Sequence, residues 1–286
     1  MDNGVRDFSV LMAVYYKENA QYFDLALNSI FEKQTVKPSE FVLVCDGPLG
    51  EDLNGVIEKY QSEYPEVFRV YRTEKNQGLG NALNYGLERC SHNLVARADS
   101  DDVCCENRFE EQIKYMAEHQ DVSVVSSYID EFETDWAVPI RKKELPLTHK
   151  ELVEMAKFRN PINHMAVMFR RDDIMEIGSY HHLLYLEDYE LWVRAIIDGK
   201  KLGNIGKVLV HARAGREMLA RRGNKEYIKS WRVLSKYMLT NGMINKFQYV
   251  RNMIAIRAFV CLSLRLRKKL YGGFLRKKLN SGYSKK

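Results

Sequence analysis

Residues 94–102 read Leu-Val-Ala-Arg-Ala-Asp-Ser-Asp-Asp, a mostly apolar stretch of strand length that includes Arg97 and ends in a cluster of aspartates. Its pattern predicts a buried β-strand, as in a parallel sheet. Carboxylates this close together repel one another unless a cation lies among them. A hard divalent ion such as Mg²⁺ or Mn²⁺, with water or phosphate completing its shell, would relieve the repulsion. The alternative interpretation is a solvated acidic turn.

The sequence on both sides of this stretch alternates between strand and helix patterns. The predicted strands are Phe8–Val14, Phe41–Cys45, Phe68–Tyr71, Leu94–Ala98 and Val122–Ser127, and the predicted helices between them are Ala20–Glu32, Glu51–Tyr64, Leu79–Cys90 and Glu106–His119. Such alternation with short links predicts an α/β fold with a mostly parallel sheet flanked by helices. Ligands of these sheets bind beyond the carboxyl ends of the strands. We therefore expect the chemistry at Tyr15–Lys17, Cys45–Gly47 and Asp99–Asp102.

The second half of the chain is less regular. Its pattern predicts helices over Thr148–Phe158 and Glu187–Ile197, and strands over Met165–Arg170 and Val208–Ala212. No internal repeat or low-complexity segment is present. The irregular pattern suits a sheet that is extended by shorter, mixed strands.

The composition limits the class of protein. Of 286 residues, 45% are hydrophobic and 29% are charged, which is typical of a soluble globular protein and excludes disorder along the whole length. No apolar stretch approaches about 18 residues, so no transmembrane helix is predicted, and the polar N-terminus is unlike a signal peptide. The five cysteines are irregularly spaced and include no C-x-x-C pair. Reduced thiols in a cytosolic compartment are therefore favoured over a disulfide framework or a zinc site.

Charge is divided unevenly along the chain. The net charge is +6, yet residues 246–286 hold 12 Lys or Arg and no acid, so that the first 245 residues carry 32 basic and 38 acidic side chains. Asn245–Tyr271 has helical spacing, and at about 100° per residue five of its cations fall within an arc of about 120°: Arg251, Arg257, Arg265, Lys268 and Lys269. This pattern favours contact with an anionic membrane surface. The alternatives are a helix packed on the body, and a tail that binds nucleic acid.

Seven segments together resemble the inverting family 2 glycosyltransferases, which have the GT-A fold. These segments are FSVLMAVYYKEN at 8–19, VCDGP at 44–48, NQGLGNALNYGL at 76–87, VARADSDD at 95–102, NPINHMAVMFRR at 160–171, LEDYELW at 186–192 and REMLARRG at 216–223. The chain looks most similar to bacterial enzymes that build O-antigen, capsule or exopolysaccharide units. The resemblance implies a GT-A (Rossmann-like) catalytic domain over 1–225, with a nucleotide-binding half to about 130 and an acceptor half after it, followed by a helical basic extension over 226–286.

The resemblance also implies roles for the polar residues at the predicted strand ends. Asp101 would be the main ligand of a Mn²⁺ or Mg²⁺ ion, with Asp99 on the ion or the ribose, and Asp102 would support the loop. Asp46 would accept a hydrogen bond from the nucleotide base; its alternative role is an Asx-turn before Gly47. The remaining nucleotide contacts would come from Ala13, Tyr15 and Asn76 near the base, and from Arg221 and Arg222 on the diphosphate.

The catalytic base implied by the resemblance is Asp188, at the start of a predicted helix. Without the other segments, Glu187 and Asp188 would be interpreted as acids that complement the helix dipole. Glu187 and His164 would lie near the acceptor or the donor sugar, although a lone histidine is commonly a hydrogen-bonded core residue. His211 could be a third metal ligand.

The activity implied is transfer of one hexose from a UDP-sugar to a saccharide on a polyprenyl diphosphate carrier, by a cytoplasmic enzyme peripheral to the inner face of the membrane. The chain lacks the Q-x-x-R-W motif of processive synthases, which favours addition of a single sugar. One alternative is a nucleotidyltransferase, which would release pyrophosphate. Another is a non-enzymatic nucleic-acid binder, which the acidic body disfavours. The donor sugar, the linkage and the oligomeric state stay open.

Overall fold

Strand and helix alternate through the first half of the chain as the sequence predicts. The computed structural model describes residues 7–214, 223–263, 265–267 and 277–278. Within these residues the strands are β1 (Ser9–Val14), β2 (Glu40–Cys45), β3 (Phe68–Arg72), β4 (Leu94–Ala98), β5 (Val103–Cys104), β6 (Val122–Phe132), β7 (Arg141–Lys143), β8 (Met168–Arg170), β9 (Lys201–Arg213) and β10 (Lys277–Lys278). The helices are α1 (Ala20–Phe31), α2 (Glu51–Glu63), α3 (Leu79–Leu87), α4 (Arg108–Glu118), α5 (His149–Ala156), α6 (Arg171–Glu176), α7 (Glu187–Ile197), α8 (Lys225–Thr240) and α9 (Lys246–Cys261).

Polar side chains mark where several helices begin. Asn19 accepts hydrogen bonds from the first backbone amides of α1, and Asn224 and Asn245 do the same for α8 and α9. Thr148 and Glu151 form a reciprocal capping box at the start of α5. These caps satisfy amides that have no partner inside the helix, so the sequence fixes the helix starts locally.

The strands form one mixed sheet with the order β10-β7-β6-β8-β4-β1-β2-β3, and β9 lies parallel to β6 and pairs with β5. The central strand β1 is parallel to both β2 and β4, and Met12 is paired with Leu43 on one side and with Ala98 on the other. The carboxyl ends of these three strands therefore meet at one edge. The predicted mixed α/β sheet flanked by helices is confirmed.

Alternate side chains of β1 point into two separate apolar clusters, one on each face of the sheet. Val10 and Met12 pack with α1, α2 and α4, whereas Leu11 packs with α3 and α7. Gly86 allows α3 to approach closely, since a Cβ there would lie 2.4 Å from Cδ1 of Leu11. The sheet is thus covered on both faces, which is why its strands read as continuous apolar runs.

The second half of the chain differs from the sequence prediction in its boundaries. The predicted strand over Met165–Arg170 is shorter, because His164–Ala166 form a 3₁₀ turn before β8. The predicted strand over Val208–Ala212 is part of the much longer β9, which begins at Lys201. Its first residues include glycine and polar side chains, and their strand conformation comes from pairing with β6 rather than from local pattern. All five cysteines are free thiols.

The helices α8 and α9 pack against each other and against α7. Leu186, Tyr189 and Val193 of the α7 region share one apolar cluster with residues from both helices, including Leu234 and Met253. Within the part of the chain that the structure describes, no helix combines the length and the apolar character needed to cross a bilayer. Between residues 225 and 261 the chain therefore forms a pair of helices that pack on α7.

Helix α9 ends earlier than predicted. The sequence predicts one helix over Asn245–Tyr271, but Leu262 has an extended backbone, with φ −69° and ψ 146°, and α9 stops at Cys261. The Ser263 hydroxyl accepts a hydrogen bond from the backbone amide of Leu266 and so begins a new helical turn. The prediction of one continuous helix was wrong because serine competes for the backbone as a cap, which an apolar period does not show. Lys268 and Lys269 lie outside the described residues.

Candidate active site

The end of β4 carries a buried cation followed by the acidic cluster. The guanidinium of Arg97 is 2.5 Å from Oδ1 of Asp99, and Arg97 is only 2% exposed. Asp102 is also buried, and its Oδ1 accepts a hydrogen bond of 2.7 Å from the backbone amide of Arg213 at the end of β9. Asp99 is thus oriented by Arg97, and Asp102 fastens the loop to β9, which is the supporting role expected for it.

Asp101 lies between these two aspartates in the sequence, and no Lys or Arg among the described residues forms an ion pair with it. Burial, followed by the charges of Asp99 and Glu18, raises the pKa of Asp101 to about 7, although Arg213 and Arg97 lower it in part. Glu18 is held beside the cluster because its Oε2 accepts a 2.5 Å hydrogen bond from the Ser100 hydroxyl. Negative charge is therefore in excess where β1 and β4 end.

This excess of charge fits a hard divalent cation. Among the described residues, no group of three or more His, Cys, Asp or Glu is arranged to hold an ion with protein atoms alone. A site that supplies one or two carboxylates and leaves the other positions to phosphate oxygens and water is the kind that Mg²⁺ favours. Asp99 and Asp101 are the residues that would hold such an ion.

His211 is engaged elsewhere. Its Nδ1 lies 2.7 Å from Oδ1 of Asp130, and its Nε2 lies 3.3 Å from Sγ of Cys105. Burial alone would lower the pKa of His211, but the hydrogen bonds and charges of Asp130 and Cys105 outweigh it and raise the pKa to about 10. Both ring nitrogens thus have partners, so the prediction of His211 as a third metal ligand is not supported.

Asp46 organises the loop that precedes α3. Its carboxylate accepts backbone hydrogen bonds of 2.7 Å from Gln77 and 2.9 Å from Gly78, while its carbonyl oxygen accepts one from the side chain of Asn76. Gly47 is required beside it, since its φ is +88° and a Cβ would lie 2.7 Å from the backbone nitrogen of Asn76. The Asx-turn interpretation of Asp46 is therefore replaced by a bridge to the loop before α3.

The predicted base-pocket residues lie next to this loop. Ala13 is half-buried and pairs with Val44, and the backbone amide of Asp46 bonds to the carbonyl oxygen of Val14. Tyr15 follows at the exposed end of β1. The structure therefore brings Ala13, Tyr15 and Asp46 to one edge of the sheet, with Asn76 beside them.

Asp188 lies in the first turn of α7 and is held by a residue that the sequence reasoning missed. The side-chain nitrogen of Asn160 donates a hydrogen bond of 2.6 Å to Oδ2 of Asp188. Burial raises the pKa of the neighbouring Glu187, and the charge of Asp188 adds to this effect. Glu187 also lies against the start of α3, because a Cβ at Gly80 would be 3.1 Å from its Cγ. The first turns of α3 and α7 therefore meet.

Tyr180 is buried beside His164. Burial raises the pKa of Tyr180, Arg97 lowers it in part, and the charges of Asp188 and Asp99 add to the rise. Its hydroxyl lies 2.9 Å from Nε2 of His164, whose pKa is lowered by burial and by Arg97, so that the imidazole is neutral. His164 is thus arranged as a hydrogen-bonded core histidine, and its contact with a sugar stays a prediction.

Arg221 and Arg222 lie outside the described residues, yet the described positions on both sides of them are beside the site. Arg213 holds Asp102 through its backbone amide. The side chain of Asn224 donates a 3.0 Å hydrogen bond to the hydroxyl of Tyr185, which is two residues before Glu187.

The mixed sheet, the acidic cluster where its parallel strands end and the carboxylate in the first turn of α7 agree with a GT-A fold. Residues 9–178 match the family described as Glycosyl transferase family 2. The chain is 44% identical over 223 residues to the amylovoran biosynthesis glycosyltransferase AmsE of Erwinia amylovora, a match that covers 78% of this chain and 82% of that protein. The chain therefore belongs to glycosyl transferase family 2 and is a glycosyltransferase.

Further similarities extend over nearly the whole chain. A UDP-Gal:alpha-D-GlcNAc-diphosphoundecaprenol beta-1,3-galactosyltransferase of Escherichia coli is 36% identical over 279 residues, which is 98% of each chain. The crystal structure of Staphylococcus aureus TarS residues 1–349 in complex with UDP has a TM-score of 0.63 at 17% identity, over 93% of this chain and 72% of that one. The mannosyltransferase PcManGT of Pyrobaculum calidifontis, in complex with GDP-Man and Mn²⁺, has a TM-score of 0.60 at 16% identity. The match covers 91% of this chain and 71% of that one. These two structures share the fold.

Proposed function

We propose that this glycosyltransferase is metal-dependent and inverting, and that it transfers one hexose from a UDP-sugar to a saccharide on a polyprenyl diphosphate carrier during assembly of a surface polysaccharide. The observation that carries the proposal is the 36% identity over 98% of both chains to a galactosyltransferase whose name specifies UDP-Gal and a diphosphoundecaprenol-linked GlcNAc. The similarity to an amylovoran biosynthesis enzyme supports the polysaccharide context.

Asp101 and Asp99 would hold the divalent ion, either Mn²⁺ or Mg²⁺. The raised pKa of Asp101 supports this assignment, because burial and then the charges of Asp99 and Glu18 disfavour its ionised form, which a cation would stabilise. When bound, the ion would neutralise the charge that develops on the diphosphate leaving group. The neighbour crystallised with Mn²⁺ supports the choice of ion.

Asp188 would take the proton from the attacking hydroxyl of the acceptor. Inversion needs one carboxylate in this position, because the hydroxyl attacks the anomeric carbon directly as the nucleoside diphosphate departs. Asn160 holds Oδ2 of Asp188, and we assign Oδ1 as the oxygen that accepts the proton. Glu187 would contact a sugar hydroxyl beside it, and His164 would act on a sugar through Tyr180, to whose hydroxyl it is bonded.

The nucleotide would lie across the ends of β1 and β2. Ala13 and Tyr15 would line the base pocket. Each carboxylate oxygen of Asp46 accepts one backbone hydrogen bond and keeps a further lone pair, so Asp46 could also accept a hydrogen bond from the N–H of a uracil. Asn76 would contact the base and ribose, and Arg221 and Arg222 would bind the diphosphate, since arginine suits phosphate oxygens.

The chain would divide into a catalytic unit over 1–225 and a C-terminal extension over 226–286 that contacts the membrane. The enzyme would thus be a cytoplasmic protein on the inner face of the membrane, where its lipid-linked acceptor lies. The cationic composition of residues 246–286 supports this location.

Assays of the purified full chain with a panel of UDP-sugars and a polyprenyl-diphosphate-linked GlcNAc test the proposal. We expect UDP release and an inverted linkage in the product, lost in EDTA and restored by Mn²⁺. Asp101→Ala and Asp188→Asn should abolish transfer, whereas Asp198→Asn, at the other end of α7, should retain it. Release of pyrophosphate would identify a nucleotidyltransferase, and full rates in both site variants would overturn the assigned roles.

A further inference from the structure

The outward face of α9 carries apolar side chains where a surface helix normally carries polar ones. Phe247 is 76% exposed and Ile254 is 61% exposed, while Ile256 on the opposite face is buried against α7 and α8. At about 100° per residue, five exposed side chains fall within an arc of about 80°. We call them the outer apolar row: Phe247, Val250, Ile254, Ala258 and Cys261. A helix that is apolar on both faces is expected to be covered on both.

Cations flank the outer apolar row. Arg251 and Arg257 are exposed and lie at its two edges, and α9 contains no Asp or Glu. Residues 223–263 together hold seven Lys or Arg and one acid, Glu226. An apolar row with cationic edges is typical of a helix that lies in the headgroup region of an anionic bilayer. A second copy of the chain would instead bring two cationic faces together, which like-charge repulsion disfavours.

The first half of α9 lies beside the segment that leads to the residue holding the proposed catalytic base. The guanidinium of Arg251 is 5.6 Å from the centre of the Phe158 ring, which is half exposed. The adjacent residue, Asn252, donates a hydrogen bond of 2.8 Å to the carbonyl oxygen of Lys157. Two residues after Phe158, Asn160 holds Asp188. Residues 157–160 therefore link α9 to Asp188 over a short stretch of chain.

We propose that the outer apolar row inserts into the headgroup region of an anionic bilayer, with Arg251 and Arg257 pairing with lipid phosphates. The expected benefit for catalysis rests on the proposed function, because a lipid-linked acceptor would then present its sugar next to Asp188. The proposed insertion into the bilayer rests only on the exposed side chains of α9 and does not depend on the proposed function. It differs from a purely electrostatic contact, since apolar insertion weakens less when salt screens the charges.

Sedimentation of the full chain with lipid vesicles tests this contact. The vesicles contain equal parts of phosphatidylcholine and phosphatidylglycerol, or phosphatidylcholine alone. We expect the wild type to bind the anionic vesicles. The double variant Phe247→Gln/Ile254→Gln should bind at least about tenfold more weakly, because it lacks two large apolar side chains whose transfer from water into the bilayer favours binding. Val138 is as exposed, at 64%, but lies in the turn before β7, so Val138→Gln should bind like the wild type.

A second probe places a fluorophore in the row. Tryptophan fluorescence of Phe247→Trp, compared with the wild type, should shift to shorter wavelength with anionic vesicles and be quenched by brominated acyl chains. Equal vesicle binding by wild type and double variant, or no binding by either, would overturn the proposal. So would a wild-type dimer in solution that the double variant converts to a monomer.

Failure of this inference can be told apart from failure of the proposed function. Hydrolysis of UDP-sugar without vesicles should be the same in the wild type and the Phe247→Gln/Ile254→Gln variant. Vesicle binding without any transfer would reject the proposed function alone. Transfer to a water-soluble, short-chain acceptor without vesicle binding would reject the membrane contact alone.

Discussion

Asn160 donates a hydrogen bond of 2.6 Å from its side-chain nitrogen to Oδ2 of Asp188, the proposed base. Because the amide fixes one carboxylate oxygen, the other is directed at a single position. Replacing Asn160 with alanine should lower kcat by roughly tenfold to a hundredfold, with KM for the UDP-sugar unchanged, since general-base catalysis depends on geometry and contributes up to about ten-thousandfold. Steady-state kinetics with Asn241→Ala, an exposed asparagine at the end of α8, as control measures this. A rise in KM with unchanged kcat would show that Asn160 binds substrate instead.

Asp99 and Asp101 should have opposite effects on stability, although both substitutions should abolish transfer. Asp99→Asn leaves the buried Arg97 without its ion pair and should lower the free energy of unfolding by about 2–4 kcal/mol. Asp101→Asn removes a carboxylate whose pKa is raised to about 7 in the folded protein, above its ordinary value of 3.8. Its charge therefore destabilises the fold increasingly from pH 4 to 7 and fully above pH 7.

Thermal unfolding in EDTA at pH 4 and pH 8 measures both effects. Asp101→Asn should raise Tm at pH 8 and leave it unchanged at pH 4. In a chain of this size, each kcal/mol of added stability raises Tm by roughly 2–4 °C. A lower Tm for Asp101→Asn at pH 8 would mean that the carboxylate is stabilised by contacts that outweigh the repulsion.

The His211–Asp130 pair predicts a different dependence on pH. The pKa of His211 is about 10 in the folded protein and about 6.5 unfolded, so the pair's contribution is complete below pH 6.5 and is lost as pH rises through 10. Asp130→Asn should thus cost about 1–3 kcal/mol at pH 6, and the difference from wild type should shrink toward pH 10. Denaturant unfolding from pH 6 to pH 10 measures this difference in stability, with substitution of the exposed Asp52 of α2, Asp52→Asn, as control. A difference that does not change with pH would contradict the raised pKa.

Gly47 and Gly50 allow a matched comparison of two glycines in one loop. Gly47→Ala forces a residue with a side chain to adopt φ +88° and places its Cβ 2.7 Å from the backbone of Asn76, whereas Cβ at Gly50 meets open space. Gly47→Ala should lower stability by roughly 1–3 kcal/mol and weaken UDP binding, because it moves the loop that Asp46 holds. Calorimetric titration with UDP and thermal unfolding measure this. Gly50→Ala should change neither the stability nor the affinity for UDP. Equal effects of the two substitutions would show that Gly47 has no special role in the nucleotide site.

The parallel part of the fold could be predicted from the sequence because buried strands such as 41–45 are apolar on both faces and a polar residue, here Asp46, follows directly. The role proposed for Asp188 comes from family resemblance rather than from local pattern, and it stays a prediction. Asn160 could not, since its bond joins residues 28 apart and depends on where the loop after α5 lies against α7. Glu18 could have been found by the same strand-end rule that indicated Lys17. The long β9 depends on pairing with β6, which no local period encodes.

The shared cluster of α7, α8 and α9 affects how the protein can be recombined with its relatives. Leu186, Tyr189 and Val193 lie on the helix that begins with the proposed base, and they are covered by side chains from both C-terminal helices. A chimera that exchanges the region after residue 225 would therefore alter the packing beneath Asp188, unless α7 is exchanged with it. Engineering acceptor choice by swapping C-terminal segments should accordingly use a crossover point before Leu186.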